Sequence, residues 1–210
     1  MDEPEFLRNL ELGESRVWSG VNWDGYLELC EHMTHRRLRT TYCDNEFEIM
    51  PASFDHEKRL YMIESLFFWF AMEMNIHLRS TGSATIRSAD LRIAIEPDRS
   101  YYLSNWKLVP LDRDFDLTRD PPPDLVIEVD IPDCSKKRMR VLAALGVREV
   151  WRYDDRKMCV YLLLGNGEYI ESDRSDCCPL LPMTAIERFV PMQDKMDDNA
   201  VVREFGAWME

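Results

Sequence analysis

Glu128 stands between Ile127 and Val129 in the stretch PPPDLVIEVDIPDCSKKR, which runs from Pro121 to Arg138. Three prolines stop the chain, and Asp124 to Asp130 then reads as a strand. Strand side chains alternate, so Leu125, Ile127 and Val129 share one face and Asp124, Glu128 and Asp130 the other. An ionised carboxylate inside a sheet is costly unless it is paired. A bound divalent cation would balance it, and magnesium takes oxygen ligands, usually one or two carboxylates plus water. A second carboxylate is on offer at Asp98, in the run Glu96-Pro97-Asp98. Pro97 fixes its own φ and biases Glu96 towards extended geometry, which helps to aim Asp98. A third is Glu57, on the apolar stripe of a helix. The basic cluster Lys136, Lys137, Arg138 follows the carboxylate strand directly.

Each of these residues also has a plainer reading. Glu128 fits a solvent-facing side of its strand beside Asp124 and Asp130. Asp98 fits a Pro-Asp turn. Glu57, close to Asp55, fits the first turn of a helix, where acids meet the positive end of its dipole. The basic cluster fits a solvated helix start, and Asp124 a cap at the strand entry. His56 reads as a surface or hinge residue. Phe67 to Phe70 reads as core packing, with Trp69 turned towards a partner surface. Trp151 and Tyr153 read as sheet core.

The elements that must position these groups follow from periodicity. Residues 1–20 are acidic and weakly patterned, an expected loosely held arm. Asn22 to Met33 reads as a helix with Tyr26, Leu29 and Met33 on one side. RRLRTTYC and EFEIM, separated by Asp44-Asn45, read as a β-hairpin. Asp55 to Leu78 is the clearest helix, with Leu60, Ile63, Phe67, Phe70 and Met74 at helical spacing and Asp55 as the expected N-cap. SATIR and the aromatic run after Asp98 read as strands, and 106–121 as a polar loop. Ser135 to Leu145 reads as a helix stopped by Gly146. EVWRY, CVYLLL and EYIES read as strands, and Ala185–Phe189 and Asn199–Trp208 carry helical signals. The strand–helix–strand unit over 124–153 implies local parallel pairing. The fold class expected is α/β, a mixed central sheet flanked by helices in one domain over 21–210.

The 210 residues suffice for one domain with a real core. No apolar run approaches the ~20 residues that cross a bilayer. The acidic start MDEPEFLRNLELGE lacks the basic and apolar regions of a signal peptide, so a cytoplasmic location is expected. The six cysteines form no CxxC pair, and neither they nor the four histidines have zinc-ligand spacing, so reduced thiols are expected. The net charge of −13 is the wrong sign for a general nucleic-acid binder. Contact with DNA would need a local basic patch or bound metal ions.

EPDRSYYLSN, DPPPDLVIEVDIP and AALGVREVWRYD, in this order and with PASFDHE before the long helix, resemble the putative restriction endonuclease-like family of bacterial proteins. That family belongs to the PD-(D/E)XK nuclease superfamily, and the resemblance runs from about Thr40 to Pro182. It implies a restriction endonuclease-like fold and magnesium- or manganese-dependent hydrolysis of phosphodiester bonds, with DNA as the expected substrate. It makes Asp98 the aspartate of the PD element and Glu128 the second acid, both metal ligands, and Glu57 the helical acid of the superfamily. The superfamily pattern has Lys two residues after the second acid, where this chain has Asp130. The basic position on the following helix falls on Arg138, with Lys136 and Lys137 as substitutes in another register. Arginine stays protonated and cannot act as a base, but it can stabilise a phosphate. A homodimer is expected, because duplex cleavage needs two cuts. The rival reading is a catalytically inactive protein of the same fold, acting as a binding or assembly module, which the missing lysine and the negative charge favour.

Overall fold

The computed structural model describes residues 15–33, 38–109, 117–129, 135–154 and 156–210. The expected acidic arm lies outside them up to residue 14, as do Asp130, Cys134 and much of the expected 106–121 loop. The end of that arm is not loose: Arg16–Ser19 forms β1 and pairs antiparallel with the strand Glu46–Pro51.

Helix α1 (Trp23–His32) starts at Asn22, whose side chain accepts the Gly25 N–H. The hairpin forms as the sequence implies, with β2 (Leu38–Cys43) and β3 (Glu46–Pro51). Its turn residues Asp44 and Asn45 both have positive φ, 54° and 56°, a two-residue turn that Asp and Asn tolerate. Helix α2 (Phe54–Glu73) buries Leu60, Ile63, Leu66, Phe67 and Phe70. Its N-cap is Ser53, not Asp55; the Ser53 hydroxyl accepts the His56 N–H, and Asp55 pairs instead with Arg59. The helix ends before Leu78, where Asn75 turns left-handed, and Arg79–Gly82 becomes β4, a strand the sequence concealed.

The remaining strands are β5 (Ile86–Ser88), β6 (Ile93–Ile95), β7 (Arg99–Tyr102), β8 (Leu125–Val129), β9 (Glu149–Asp154), β10 (Lys157–Leu163) and β11 (Tyr169–Ser172). They divide into a five-stranded sheet, β1-β3-β2-β6-β5, and a six-stranded sheet, β11-β10-β9-β8-β7-β4. The large sheet is mixed: β8 and β9 are parallel across α3 (Ser135–Ala144), and the other neighbours are antiparallel. Gly146, at φ 80°, reverses the chain after α3.

Both faces of the large sheet are covered. Leu125, Ile127 and Val129 join Trp151 and Tyr153 in a core against α2, α4 (Met183–Phe189) and α5 (Asp198–Met209). Val126 and Val150 join Val141, Leu142 and Leu145 of α3 on the other side. The acid-bearing face of β8 is therefore buried as well. Trp69 does not point to an open surface either: its ring packs on Phe205, and a Cβ on Gly206 would lie 2.8 Å from it. Among the described residues, no helix is long and apolar enough to cross a membrane.

Candidate active site

Asp98 lies just before β7, whose antiparallel register on β8 pairs Arg99 with Ile127. Continuing the register by one residue sets Asp98 opposite Glu128. The backbone links them, because the Val129 N–H donates to Asp98 Oδ2 at 2.8 Å. Both side chains are buried, Asp98 to 1% and Glu128 to 5% exposure. The solvent-facing reading of Glu128 is thus excluded, and Asp98 is more than a turn residue.

Arg39 of β2 joins two of the acids, donating from Nε to Asp98 Oδ1 at 2.7 Å and from Nη2 to Glu57 Oε1 at 3.0 Å. His56 Nε2 lies 2.9 Å from Asp98 Oδ2. The surface or hinge expectation for His56 is corrected here: its side chain has no exposed area, because the third residue after the Ser53 cap falls on the inward face of α2. Glu57 follows it at the rim, with its side chain 30% exposed.

Arg138 reaches Glu128 from α3 as a two-pronged fork, with Nε and Nη2 both on Oε2 and Nη2 also 2.9 Å from Oε1. Its remaining donors go to Thr41 Oγ1 at 3.0 Å and the Glu96 carbonyl at 2.8 Å. The helix face shared with Val141, Leu142 and Leu145 turns it inward. Lys136 is exposed and Lys137 pairs with Glu46 on the small sheet, so neither lysine reaches Glu128.

The surroundings push the two inner carboxyls apart. Burial drives Asp98 upward, but the hydrogen bond and charge of His56, with the charges of Arg138 and Arg39, outweigh it and hold the group below the usual carboxylate range. Burial dominates at Glu128, and the proximity of Asp98 adds to it, so that group is raised despite Arg138. Glu96 is also raised by burial, and its side chain accepts from Thr85, so the structure gives it a structural bond in place of one to the acid pair.

The structure brings together Glu57, Asp98, Glu128 and Arg138. The sequence reading missed Arg39 and His56. Arg39 carried one available signal: an arginine within an apolar hairpin strand demands an anion, as a carboxylate does a cation. His56 sits one residue before Glu57, and a correct N-cap would have turned it inward.

A carboxylate oxygen offers about two acceptor sites, and Asp98 Oδ1 and Glu128 Oε1 each accept one described hydrogen bond. Three carboxylates (Glu57, Asp98, Glu128) stand against two guanidinium groups (Arg39, Arg138), with the His56 imidazole on Asp98. Among the described residues, no group of three or more His, Cys, Asp or Glu side chains forms a metal cage. Magnesium seldom uses such a cage; it takes one or two carboxylates and completes its shell with water and substrate phosphate. The residues fit that kind of site.

Residues 23–187 match the model of the family described as "Uma2: Putative restriction endonuclease". No curated protein matches the sequence. Among solved structures, the chain is similar to "a putative nuclease belonging to DUF820" from Anabaena variabilis ATCC 29413, with a TM-score of 0.56 and 16% identity over 81% of this chain and 99% of that one. At that identity the likeness speaks for the fold.

Proposed function

The chain belongs to the Uma2 family, and we propose that its acid cluster is the active site of a magnesium- or manganese-dependent endonuclease acting on DNA. The observation that carries this reading is the meeting of Glu57, Asp98 and Glu128 from three separate elements at one end of β8, two of them buried. Asp98 and Glu128 would hold the ion. Bound there, it would lower the pKa of a water and offset charge on the scissile phosphate.

The chain's own groups supply the rest. Asp98, kept ionised by Arg39 and His56, provides a constant negative charge. Glu128, the other ligand, is held in place by Arg138. Arg138 stays protonated and cannot act as a base; it presents positive charge to a phosphate oxygen. Arg39 fixes Glu57 relative to Asp98. A divalent ion between the carboxylates and a phosphodiester offsets the charge of both, so metal and DNA should bind cooperatively. Such coupling explains how a chain of net charge −13 would engage DNA. Cleavage of both strands would use a two-fold dimer, and the exposed Phe54, Tyr61, Phe68 and Met72 along α2 support it. DNA as substrate suits a cytoplasmic protein.

The fork itself favours a second reading. Arg138 neutralises Glu128 in full bidentate geometry where the superfamily uses lysine, as a purely structural cluster would. A supercoiled plasmid assay with magnesium or manganese separates the two. Nicking by the native protein that disappears in Asp98→Asn with Glu128→Gln supports the nuclease; no nicking by a folded native protein supports the binding module.

A further inference from the structure

A cavity of about 910 Å³ opens on the far side of α3 from the Arg138–Glu128 pair. Its walls are α3, the hairpin turn of the small sheet and the strands β9 to β11. The helical period along α3 explains the arrangement: Arg138 turns inward with Leu142, while Lys136, Met139 and Arg140 line the cavity. The large sheet gives the same face to both places, because Arg152 of the cavity wall is the direct strand partner of Glu128.

Three properties of the wall are chemical rather than structural. Tyr161 and Tyr169 supply aromatic surface, and Tyr169 is fixed by its hydroxyl, which donates to the Val147 carbonyl at 2.7 Å. The charged lining residues are Lys136, Arg140 and Arg152 against Asp44 and Glu168, a sum of +1 on a chain of net −13. Arg140 is paired with Asp44 and Arg152 with Asp154, whereas Lys136 has no ion pair among the described residues. A fixed aromatic ring with cations at the rim suits a planar base carrying a phosphate.

We propose that this cavity is a nucleotide-binding subsite, in which Tyr161 and Tyr169 receive the base and Lys136 and Arg140 the phosphate. It rests on the nuclease reading only in its natural source, a nucleotide of a DNA strand passing the acid cluster; a free nucleotide shares the same chemistry.

The test is calorimetric titration of the native protein with dAMP and, separately, with a single-stranded hexanucleotide, both without metal. Ala144→Trp, at the exposed end of α3, fills the cavity, and Lys136→Ala removes the unpaired cation. Saturable binding is expected, weakened at least about tenfold by Ala144→Trp and about threefold by Lys136→Ala. A hexanucleotide tighter than dAMP by about tenfold or more identifies a strand as the source; equal affinities identify a free nucleotide. The absence of saturable binding to the native protein, or unchanged binding by a folded Ala144→Trp variant together with Lys136→Ala, overturns the proposal. Metal-free binding by a folded native protein that does not nick DNA keeps the subsite and removes the nuclease reading instead.

Discussion

β8 has a buried carboxylate at each end, and the two are held in different ways. Asp124, before the strand, accepts from the backbone N–H groups of Leu103 and Asn105 and from the Asn105 side chain, all neutral donors. Glu128, near its end, is gripped by a guanidinium, with Asp98 and a second guanidinium beside it. Neutral amides tie a loop down and leave a carboxylate little else to do. Charged partners concentrated in one buried spot cost far more to assemble than a fold requires, since apolar packing would serve as well. On the proposed reading, the difference sets a functional Glu128 end apart from an Asp124 end that serves as a structural clamp.

The comparison is sharpest in stability. Asp98→Ala leaves Arg39 and His56 facing a buried gap, and a loss of about 3–5 kcal/mol is expected in urea unfolding. Asp124→Ala strands neutral N–H groups, and about 1–3 kcal/mol is expected. Equal losses would erase the distinction between the two ends.

Arg138→Lys tests the fork from the other side. Lysine cannot serve Glu128, Thr41 and the Glu96 carbonyl at once, so a loss of about 1–3 kcal/mol is expected. Because lysine is the residue the superfamily pattern uses, plasmid nicking is expected to rise above native in the same variant. A fall would mean that the guanidinium is itself the working group.

Acid titration of native protein beside Asp98→Asn probes the charge of Asp98. Its folded pKa lies below the unfolded one, so its contribution is present above the unfolded value and disappears as pH falls through the folded value. Native protein and Asp98→Asn should therefore converge in thermal stability below about pH 4. Glu128, raised in the fold, has the opposite sign: its contribution is complete below the unfolded value and lost as pH rises through the folded one. A gap between native and Asp98→Asn that widens on acidification would contradict the charge assignment. The smallest effect belongs to Glu57→Ala. That side chain is partly exposed and its ion pair screened, so less than about 1 kcal/mol is expected.

Much of this arrangement could be read from the sequence because local patterns and tertiary packing agree. The hairpin carries its Asp44-Asn45 turn, α2 its apolar stripe, and the 124–153 unit its parallel crossover. The three acids were legible because a carboxylate among apolar neighbours demands a partner. Which partner was not legible. Arg39 is distant in sequence from Asp98, and only the antiparallel contact of β2 with β6 brings the small sheet against the acids. Burial of the acid-bearing face of β8 was hidden for a related reason: α3 and the small sheet cover it, and strand alternation reports the two faces without saying what lies on each. His56 and the true start of α2 were lost together, since moving the cap from Asp55 to Ser53 rotates every reading of the first turn.

The most direct measurement is calorimetric titration of manganese into the native protein in the presence of a short DNA duplex, with Asp98→Asn plus Glu128→Gln alongside. The account expects a saturable heat in the native protein that depends on the duplex and is absent from the double variant. The same heat in both proteins, or none in the native protein at millimolar metal with DNA present, would contradict the assignment of Asp98 and Glu128 as the ligands of a catalytic ion.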